Sequence, residues 1–199
     1  MSQPVSVRQL TLVMGGVRSG KSAFAEGLVR SLDLPTAYLA TGMAIDEEME
    51  QRIQRHRSGR PSDWVTVEEP LDLAGGLKAA YEALNISKVG ANAGVVIIDC
   101  IDVWVANNLI EREDETKEHL ESLTLSLLED LLDTVRDLGV AIIMVSSEVG
   151  LSLVAQEALG RRFQDLLGLV NQRIAATAEQ VYLVVAGIPL EIKSLSANG

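Results

Sequence analysis

The sequence predicts an α/β fold with three layers, in which helices cover both faces of a mostly parallel sheet. Its apolar segments are mostly continuous runs, as expected for strands that are buried on both faces. The predicted strands cover residues 10–14, 36–40, 95–99, 140–146 and 180–186. Segments with helical spacing lie between them, and the predicted helices cover residues 22–32, 44–57, 70–84, 117–138 and 156–179. This alternation implies parallel β-α-β units with right-handed crossovers.

The chain is expected to form a single domain over residues 1–199, because its length fits one domain and 47% of its residues are hydrophobic. The two ends, residues 1–7 and 194–199, are expected to be flexible. Residues 85–94 and 111–118 are predicted surface loops, and the last helix is expected to break near Gly168.

The composition excludes several classes of partner. A net charge of −11 argues against general binding to nucleic acid or to anionic membranes, since both require a basic surface. The sequence shows no apolar run of about 18 residues and no secretion signal. A single cysteine, Cys100, rules out an internal disulfide framework. These observations predict a cytoplasmic protein.

The segment from Gly15 to Ser22 reads GGVRSGKS and matches the phosphate-loop motif G-x-x-x-x-G-K-[ST]. Its glycines let successive backbone N–H groups point at an anion, and the following helix adds its positive N-terminal end. Lys21 is expected to reach the β- and γ-phosphates, and the Ser22 hydroxyl to bind Mg²⁺. The alternative is a glycine turn that only joins a strand to a helix, but the strand–loop–helix context favours a P-loop NTPase-like fold.

Asp99 ends the apolar strand predicted over residues 95–99. This is the usual place for a carboxylate that holds Mg²⁺ directly or through water. The alternative is that Asp99 caps the next helix. The phosphate loop in the same chain favours the metal role.

A cluster of arginines surrounds His56: Arg52, Arg55, Arg57 and Arg60. Positive neighbours lower the pKa of an imidazole, which keeps the ring neutral and nucleophilic near pH 7. The same arginines would neutralise a triphosphate. The alternative is an exposed helix end, where basic residues suit the helix dipole.

Several blocks together resemble a known family. They are GGVRSGKS, ATGMAIDEEMEQRIQRHRSGRP, DCIDVWVANNL, SSEVG and RRFQDLLGLVNQRIAATAEQVYLVVAGIPLEIK. In this order they are similar to the bifunctional adenosylcobinamide kinase/adenosylcobinamide-phosphate guanylyltransferase, from Leu10 to about Lys193. The phosphate loop alone is not specific, whereas the arginine-flanked histidine block and the closing A-G-I-P-L segment are.

The resemblance implies two reactions of cobalamin biosynthesis. ATP or GTP phosphorylates the hydroxyl of adenosylcobinamide, and GTP then donates GMP to that phosphate, giving adenosylcobinamide-GDP. It also implies that His56 carries the GMP as a covalent intermediate and that the protein is a homotrimer. Which triphosphate is preferred in the first step, and whether the chain acts in salvage or in de novo synthesis, stays open.

The resemblance also implies a set of site residues. Lys21 joins His56 as catalytic, and Ser22 and Asp99 are the metal residues. Glu68 is interpreted as a contact of the guanine base, because a carboxylate suits its N1–H and 2-amino donors; the alternatives are a metal contact and an exposed charge in the EEP turn. The complete nucleotide-binding set is Gly15, Gly16, Val17, Arg18, Ser19, Gly20, Lys21, Ser22, Ala23, Ala40, Thr41, Gly42, Arg57, Ser58, Gly59, Arg60, Glu68 and Asp99.

Some positions depart from the family's pattern. Asp102 stands where threonine is usual, and Ser147 replaces a common asparagine. Ser152 and Ala155 replace a glycine and a proline in the loop that follows. This loop is expected to face the corrinoid or a neighbouring subunit. The departures therefore concern the substrate and the efficiency of the kinase step, but not nucleotide binding.

Two other functions are compatible with the motifs. The first is a P-loop metabolite kinase with a single activity, in which His56 is a surface residue. The second is a nucleotide-binding switch with negligible turnover on small molecules, which would need a protein partner.

Overall fold

The computed structural model describes residues 10–43, 59–84 and 94–196. The predicted helix over residues 44–57 therefore lies outside the described residues, as does the predicted loop over residues 85–94 except for Gly94. The described strands are β1 (Leu10–Gly15), β2 (Thr36–Ala40), β3 (Val65–Glu68), β4 (Val95–Asp99), β5 (Ala141–Ser147), β6 (Gln180–Val185) and β7 (Ile188–Glu191). The described helices are α1 (Lys21–Leu32), α2 (Leu73–Ala83), α3 (Ile101–Glu111), α4 (Lys117–Leu138) and α5 (Ala158–Thr177), followed by a 3₁₀ turn over Lys193–Leu195.

These strands form one seven-stranded sheet in the order β3-β2-β4-β5-β1-β6-β7. All neighbours are parallel except β6 and β7, which are antiparallel. The predicted α/β fold with a mostly parallel sheet is confirmed. Within the described residues, no helix combines the length and apolar character that a membrane crossing requires.

Helices cover both faces of the sheet because alternate strand residues point to opposite sides. Leu12 and Met14 of β1 pack in a large cluster with apolar residues of α2, α3, α4 and α5. Val13 lies on the other face with Ala25 and Val29 of α1. The continuous apolar strands thus bury both of their faces, and three layers result.

Three elements were not predicted. Strand β3 has only four residues and is half exposed, and β7 follows β6 after a two-residue turn, so neither forms a distinct apolar run. Helix α3 buries residues on several sides, among them Trp104, Asn107 and Leu109. It therefore lacks the one-sided periodicity that identifies a surface helix.

Two predicted boundaries need correction. Helix α5 runs unbroken through Gly168, because a glycine inside a helix costs only about 1 kcal/mol relative to alanine. The predicted loop over residues 111–118 is shorter, since α3 extends to Glu111 and α4 starts at Lys117. The 3₁₀ turn over Lys193–Leu195 overlaps the start of the predicted flexible end, residues 194–199, and the flexibility of this end stays a prediction.

The parallel arrangement brings the carboxyl ends of the strands to one edge of the sheet. Gly15 pairs in register with Ser147, and Ala40 lies between Glu68 and Asp99. Ligands of open α/β sheets bind in the crevice at this edge.

Candidate active site

The phosphate loop connects β1 to α1 and has a shape that requires glycine. A Cβ on Gly15 would lie 2.4 Å from Ser19 Oγ, and Gly20 has a φ of 94°. The Ser19 amide donates to Gly16 O at 3.2 Å and closes a turn. Gly20 has no side chain to cap α1, so the first amides of this helix can bind an anion.

Lys21 lies at the start of α1, and its Nζ donates to Gly16 O at 3.4 Å. The ammonium group therefore lies over the loop whose amides would surround the phosphates. Arg18, with a φ of 56°, places a second cation at the same cleft. Lys21 and Arg18 therefore place two positive charges next to the loop that would receive a triphosphate.

Asp99, at the end of β4, faces the loop. Ser22 Oγ donates to Asp99 Oδ1 at 3.5 Å, and the Tyr38 hydroxyl donates to Asp99 Oδ2. A hydroxyl and a carboxylate offer the oxygen donors that Mg²⁺ prefers, so these residues fit the predicted metal role. The Mg²⁺ ion itself stays a prediction.

Tyr38 orients this carboxylate from within the sheet. Its side chain is only 1% exposed, and burial together with the Asp99 charge raises the pKa of its hydroxyl above the ordinary value. The hydroxyl therefore stays protonated and serves as a donor. Its only sequence signal was an aromatic residue in an aliphatic strand, two positions before the strand end.

Arg60 packs on the same tyrosine. Its guanidinium lies 3.5 Å from the centre of the Tyr38 ring, and the Trp64 ring is stacked 6.4 Å from Tyr38. Such cation–π contact fixes the arginine while its charge remains available at the cleft. Arg60 is thereby held beside the metal candidate Asp99.

Thr41 joins the ends of β2 and β4. Its hydroxyl donates to Cys100 O and accepts from the Cys100 amide, both at 2.9 Å. Asn107, buried in α3, donates to Thr41 O at 2.9 Å and to Pro70 O at 3.1 Å. The hydroxyl proton of Thr41 is thus already donated to Cys100 O. Thr41, a predicted nucleotide contact, therefore also has a structural role in joining the two strand ends.

Asp102 and Ser147, which both depart from the expected family pattern, contact each other. Ser147 Oγ donates to Asp102 Oδ2 at 2.7 Å. The second oxygen, Oδ1, is buried and has no hydrogen-bond partner among the described residues. The two departures thus form one unit that adds a carboxylate to the cleft.

Cys100 lies beside these carboxylates. Burial, followed by the charges of Asp102 and Asp99, raises the pKa of its thiol well above the ordinary value. A thiol that stays protonated is a poor nucleophile at neutral pH. Covalent catalysis by Cys100 is therefore not supported.

The structure brings ten of the predicted residues together around a cleft of about 250 Å³. They are Val17, Arg18, Lys21, Ser22, Ala40, Thr41, Gly42, Arg60, Glu68 and Asp99. Sequence reasoning did not assign the other five lining residues to nucleotide binding: Tyr38, Cys100, Asp102, Val103 and Ser147.

The remaining predicted residues that the structure describes do not line this cleft. Gly15 and Ser19 are buried in the base of the loop, whereas Ala23 and Gly59 are exposed outside the cleft. Gly16 and Gly20 shape the loop. His56, Arg57 and Ser58 lie outside the described residues, so their roles stay predictions.

A phosphate loop between a strand and a helix, with a strand-end carboxylate opposite its serine, defines a P-loop nucleotide-binding protein. Comparison with known proteins gives the particular family. The family model described as cobinamide kinase / cobinamide phosphate guanyltransferase matches residues 11–192. The chain belongs to this family.

Three curated relatives match this chain over nearly their full lengths. The bifunctional adenosylcobalamin biosynthesis protein CobP of Pseudomonas aeruginosa is 38% identical over 186 residues, covering 92% of this chain and 96% of the relative. The bifunctional adenosylcobalamin biosynthesis protein CobU of Escherichia coli is 34% identical, covering 92% of this chain and 99% of the relative. Its counterpart in Salmonella typhimurium is 35% identical with the same coverage.

Proposed function

We propose that this chain uses one phosphate loop for both transferase reactions of its family, with His56 as the nucleophile of the second. Family membership makes the chain an enzyme of cobalamin biosynthesis with adenosylcobinamide kinase and adenosylcobinamide-phosphate guanylyltransferase activities. The observation that carries the proposal is the cleft in which Lys21, Arg60 and Asp99 converge.

In the kinase step, the substrate hydroxyl oxygen attacks the γ-phosphorus of ATP or GTP. The bond from this phosphorus to the bridging oxygen of the β-phosphate breaks, the nucleoside diphosphate leaves, and the hydroxyl proton is released to solvent. Lys21 and the loop amides hold the phosphates and stabilise the charge that develops on the leaving diphosphate.

Ser22 and Asp99 would hold Mg²⁺ beside these phosphates. Their oxygens lie 3.5 Å apart, close enough to face one small cation, and Tyr38 keeps the carboxylate oriented. When bound, the cation would neutralise charge on the β- and γ-phosphates.

In the guanylyltransferase step, a neutral ring nitrogen of His56 attacks the α-phosphorus of GTP. The bond to the bridging oxygen of the β-phosphate breaks, and pyrophosphate leaves while the loop holds it. An oxygen of adenosylcobinamide phosphate then attacks the same phosphorus, which breaks the phosphorus–nitrogen bond and restores His56. Arg60, four positions after His56 in the sequence, lines the cleft and supports this assignment.

Glu68 is the residue proposed to recognise the guanine base. It ends β3 at the carboxyl edge of the sheet and lines the cleft. A carboxylate can accept hydrogen bonds from the N1–H and the 2-amino group of guanine, which adenine does not present in this arrangement. This favours GTP in the second reaction.

The covalent intermediate can be tested with GTP labelled at its α-phosphate. We expect the wild-type protein to retain label after denaturation, with the acid-labile, base-stable behaviour of a phosphoramidate. His56→Ala should lose the label. His119→Ala is the matched control, because the His119 side chain is exposed and its Nε2 lies 3.9 Å from Glu115 Oε2, so its loss should leave the label unchanged.

The same samples distinguish the proposed function from the two alternative functions. Lys21→Ala should weaken GTP binding and impair both reactions. If wild-type protein with kinase activity takes up no label, the chain is a kinase with a single activity and the proposed guanylyltransferase mechanism is wrong. Incubation with adenosylcobinamide, GTP and Mg²⁺ should yield the GDP adduct by mass, whereas folded protein with no product would favour a nucleotide-binding switch.

A further inference from the structure

The outer side of the phosphate loop is held by main-chain groups from two distant connections. Ser19 O accepts from the Gly187 amide at 2.8 Å, and Gly15 O accepts from the Glu148 amide at 3.1 Å. Gly187 belongs to the turn between β6 and β7, and Glu148 follows β5. These donors lie in the A-G-I-P-L and S-S-E-V-G blocks, which the two reactions did not otherwise explain.

These contacts orient two amides of the loop that would face a bound nucleotide. A peptide unit is planar, so its C=O and its N–H point in opposite directions. The carbonyl of Ser19 shares a peptide unit with the amide of Gly20, and the carbonyl of Gly15 shares one with the amide of Gly16. Fixing the outward carbonyls therefore directs these two N–H groups, and each hydrogen bond also polarises its peptide unit.

The turn fits closely against the loop. A Cβ on Gly20 would lie 3.3 Å from Gly187 Cα, and a Cβ on Gly15 would lie 2.6 Å from Val184 O. The two turn residues, Ala186 and Gly187, have φ values of 51° and 80°. Positive φ at both positions suits a two-residue hairpin between right-handed strands. The hairpin thus delivers the Gly187 amide to Ser19 O.

We propose that Gly187 is a positioning residue for nucleotide binding: through its amide, the β6–β7 turn holds the phosphate loop in its anion-binding shape. This inference rests on the proposed binding of GTP at the loop. Gly187 does not line the cleft, and its amide acts on a bound nucleotide through the peptide unit between Ser19 and Gly20. A strained substitution at Gly187 should therefore lower the affinity for GTP more than an equally strained substitution elsewhere in the chain.

Gly139 provides a matched control. It also has a positive φ, 59°, and a Cβ at either glycine would meet no described atom within 4 Å apart from those of adjacent residues. Gly187→Ala and Gly139→Ala therefore impose a similar left-handed backbone strain and should lower the thermal midpoint by similar amounts. Only Gly187→Ala should raise the Kd for GTP, by about three- to tenfold. Gly187→Asn should restore most of the affinity, since asparagine tolerates positive φ.

Amide hydrogen exchange of the segment 15–22, without nucleotide, gives a second measurement. Exchange should be faster in Gly187→Ala than in Gly139→Ala. Equal Kd values for the two alanine variants, or equal exchange in this segment, would overturn the inference. Failure of wild-type protein to bind GTP would instead refute the proposed function, and the exchange comparison would still decide whether the turn holds the loop.

Discussion

Replacing Tyr38 by phenylalanine tests the link between the core and the candidate metal residue. The substitution removes only the hydroxyl that donates to Asp99. The ring remains, so the contacts of Tyr38 with the Arg60 guanidinium and the Trp64 ring are kept. Any change therefore reports on the hydrogen bond and not on a cavity.

The expected loss follows from the charge of the acceptor. A buried hydrogen bond to an ionised group contributes about 1.5–3 kcal/mol to the free energy of unfolding. For a chain of this length, each kcal/mol lowers the thermal midpoint by about 2–4 °C, so we expect a decrease of about 3–12 °C. Asp99 would also lose an orienting donor, and the affinity for GTP in the presence of Mg²⁺ should fall about tenfold or more.

The pH dependence gives a second signature. The pKa of Tyr38 is raised in the folded state, first by burial and then by Asp99. Its stabilisation is therefore present below the ordinary tyrosine pKa of about 10 and is lost as the pH rises above it. The difference in unfolding free energy between wild type and Tyr38→Phe should therefore be constant up to about pH 9 and shrink as the pH rises above about 10.

Urea unfolding at several pH values, with GTP titrations, measures both effects. Tyr182→Phe is the control, because burial raises the pKa of Tyr182 as well but this residue contacts Phe24, away from the cleft. It should leave GTP affinity unchanged. Equal stability of Tyr38→Phe and wild type at pH 8, together with unchanged GTP affinity, would refute this account of the hydrogen bond.

Two further substitutions probe the walls of the cleft. Asp102→Asn keeps an acceptor for Ser147 but removes a negative charge, so GTP without Mg²⁺ should bind about two- to tenfold more tightly by calorimetry. Unchanged or weaker binding would contradict a role for this charge. Asn107→Leu leaves the carbonyls of Thr41 and Pro70 without their donor, and should lower the unfolding free energy by about 2–4 kcal/mol in urea. A midpoint equal to that of wild type would show that water replaces the amide.

Much of the fold was predictable because its signals are local. The five predicted strands agree with the structure to within one residue at each end, and the predicted helix over residues 117–138 matches α4. Strand β3 and strand β7 were missed because they are short and exposed, and their positions depend on pairing with β2 and β6. Helix α3 was missed because burial on several sides removes its periodicity.

The candidate site also contains residues that the sequence predicts and residues that only the structure reveals. The phosphate loop and Asp99 have sequence signatures because each must occupy a set place relative to its own strand. Tyr38 has no such signature, since it meets Asp99 only where β2 and β4 pair, 61 positions apart along the chain. The Asp102–Ser147 contact likewise joins α3 to the end of β5 across 45 positions.

The sequence by itself determined the α/β class, the phosphate loop and the family, because periodicity and contiguous motifs are properties of neighbouring residues. Only the tertiary structure decided which groups complete the cleft and what holds the loop from outside. Tyr38, the Asp102–Ser147 pair and the Gly187 amide act across strands, and their effect depends on the register and order of the sheet. A hydrogen bond requires its two atoms to lie about 3 Å apart in space. The positions of two residues along the chain do not show whether the fold brings them that close.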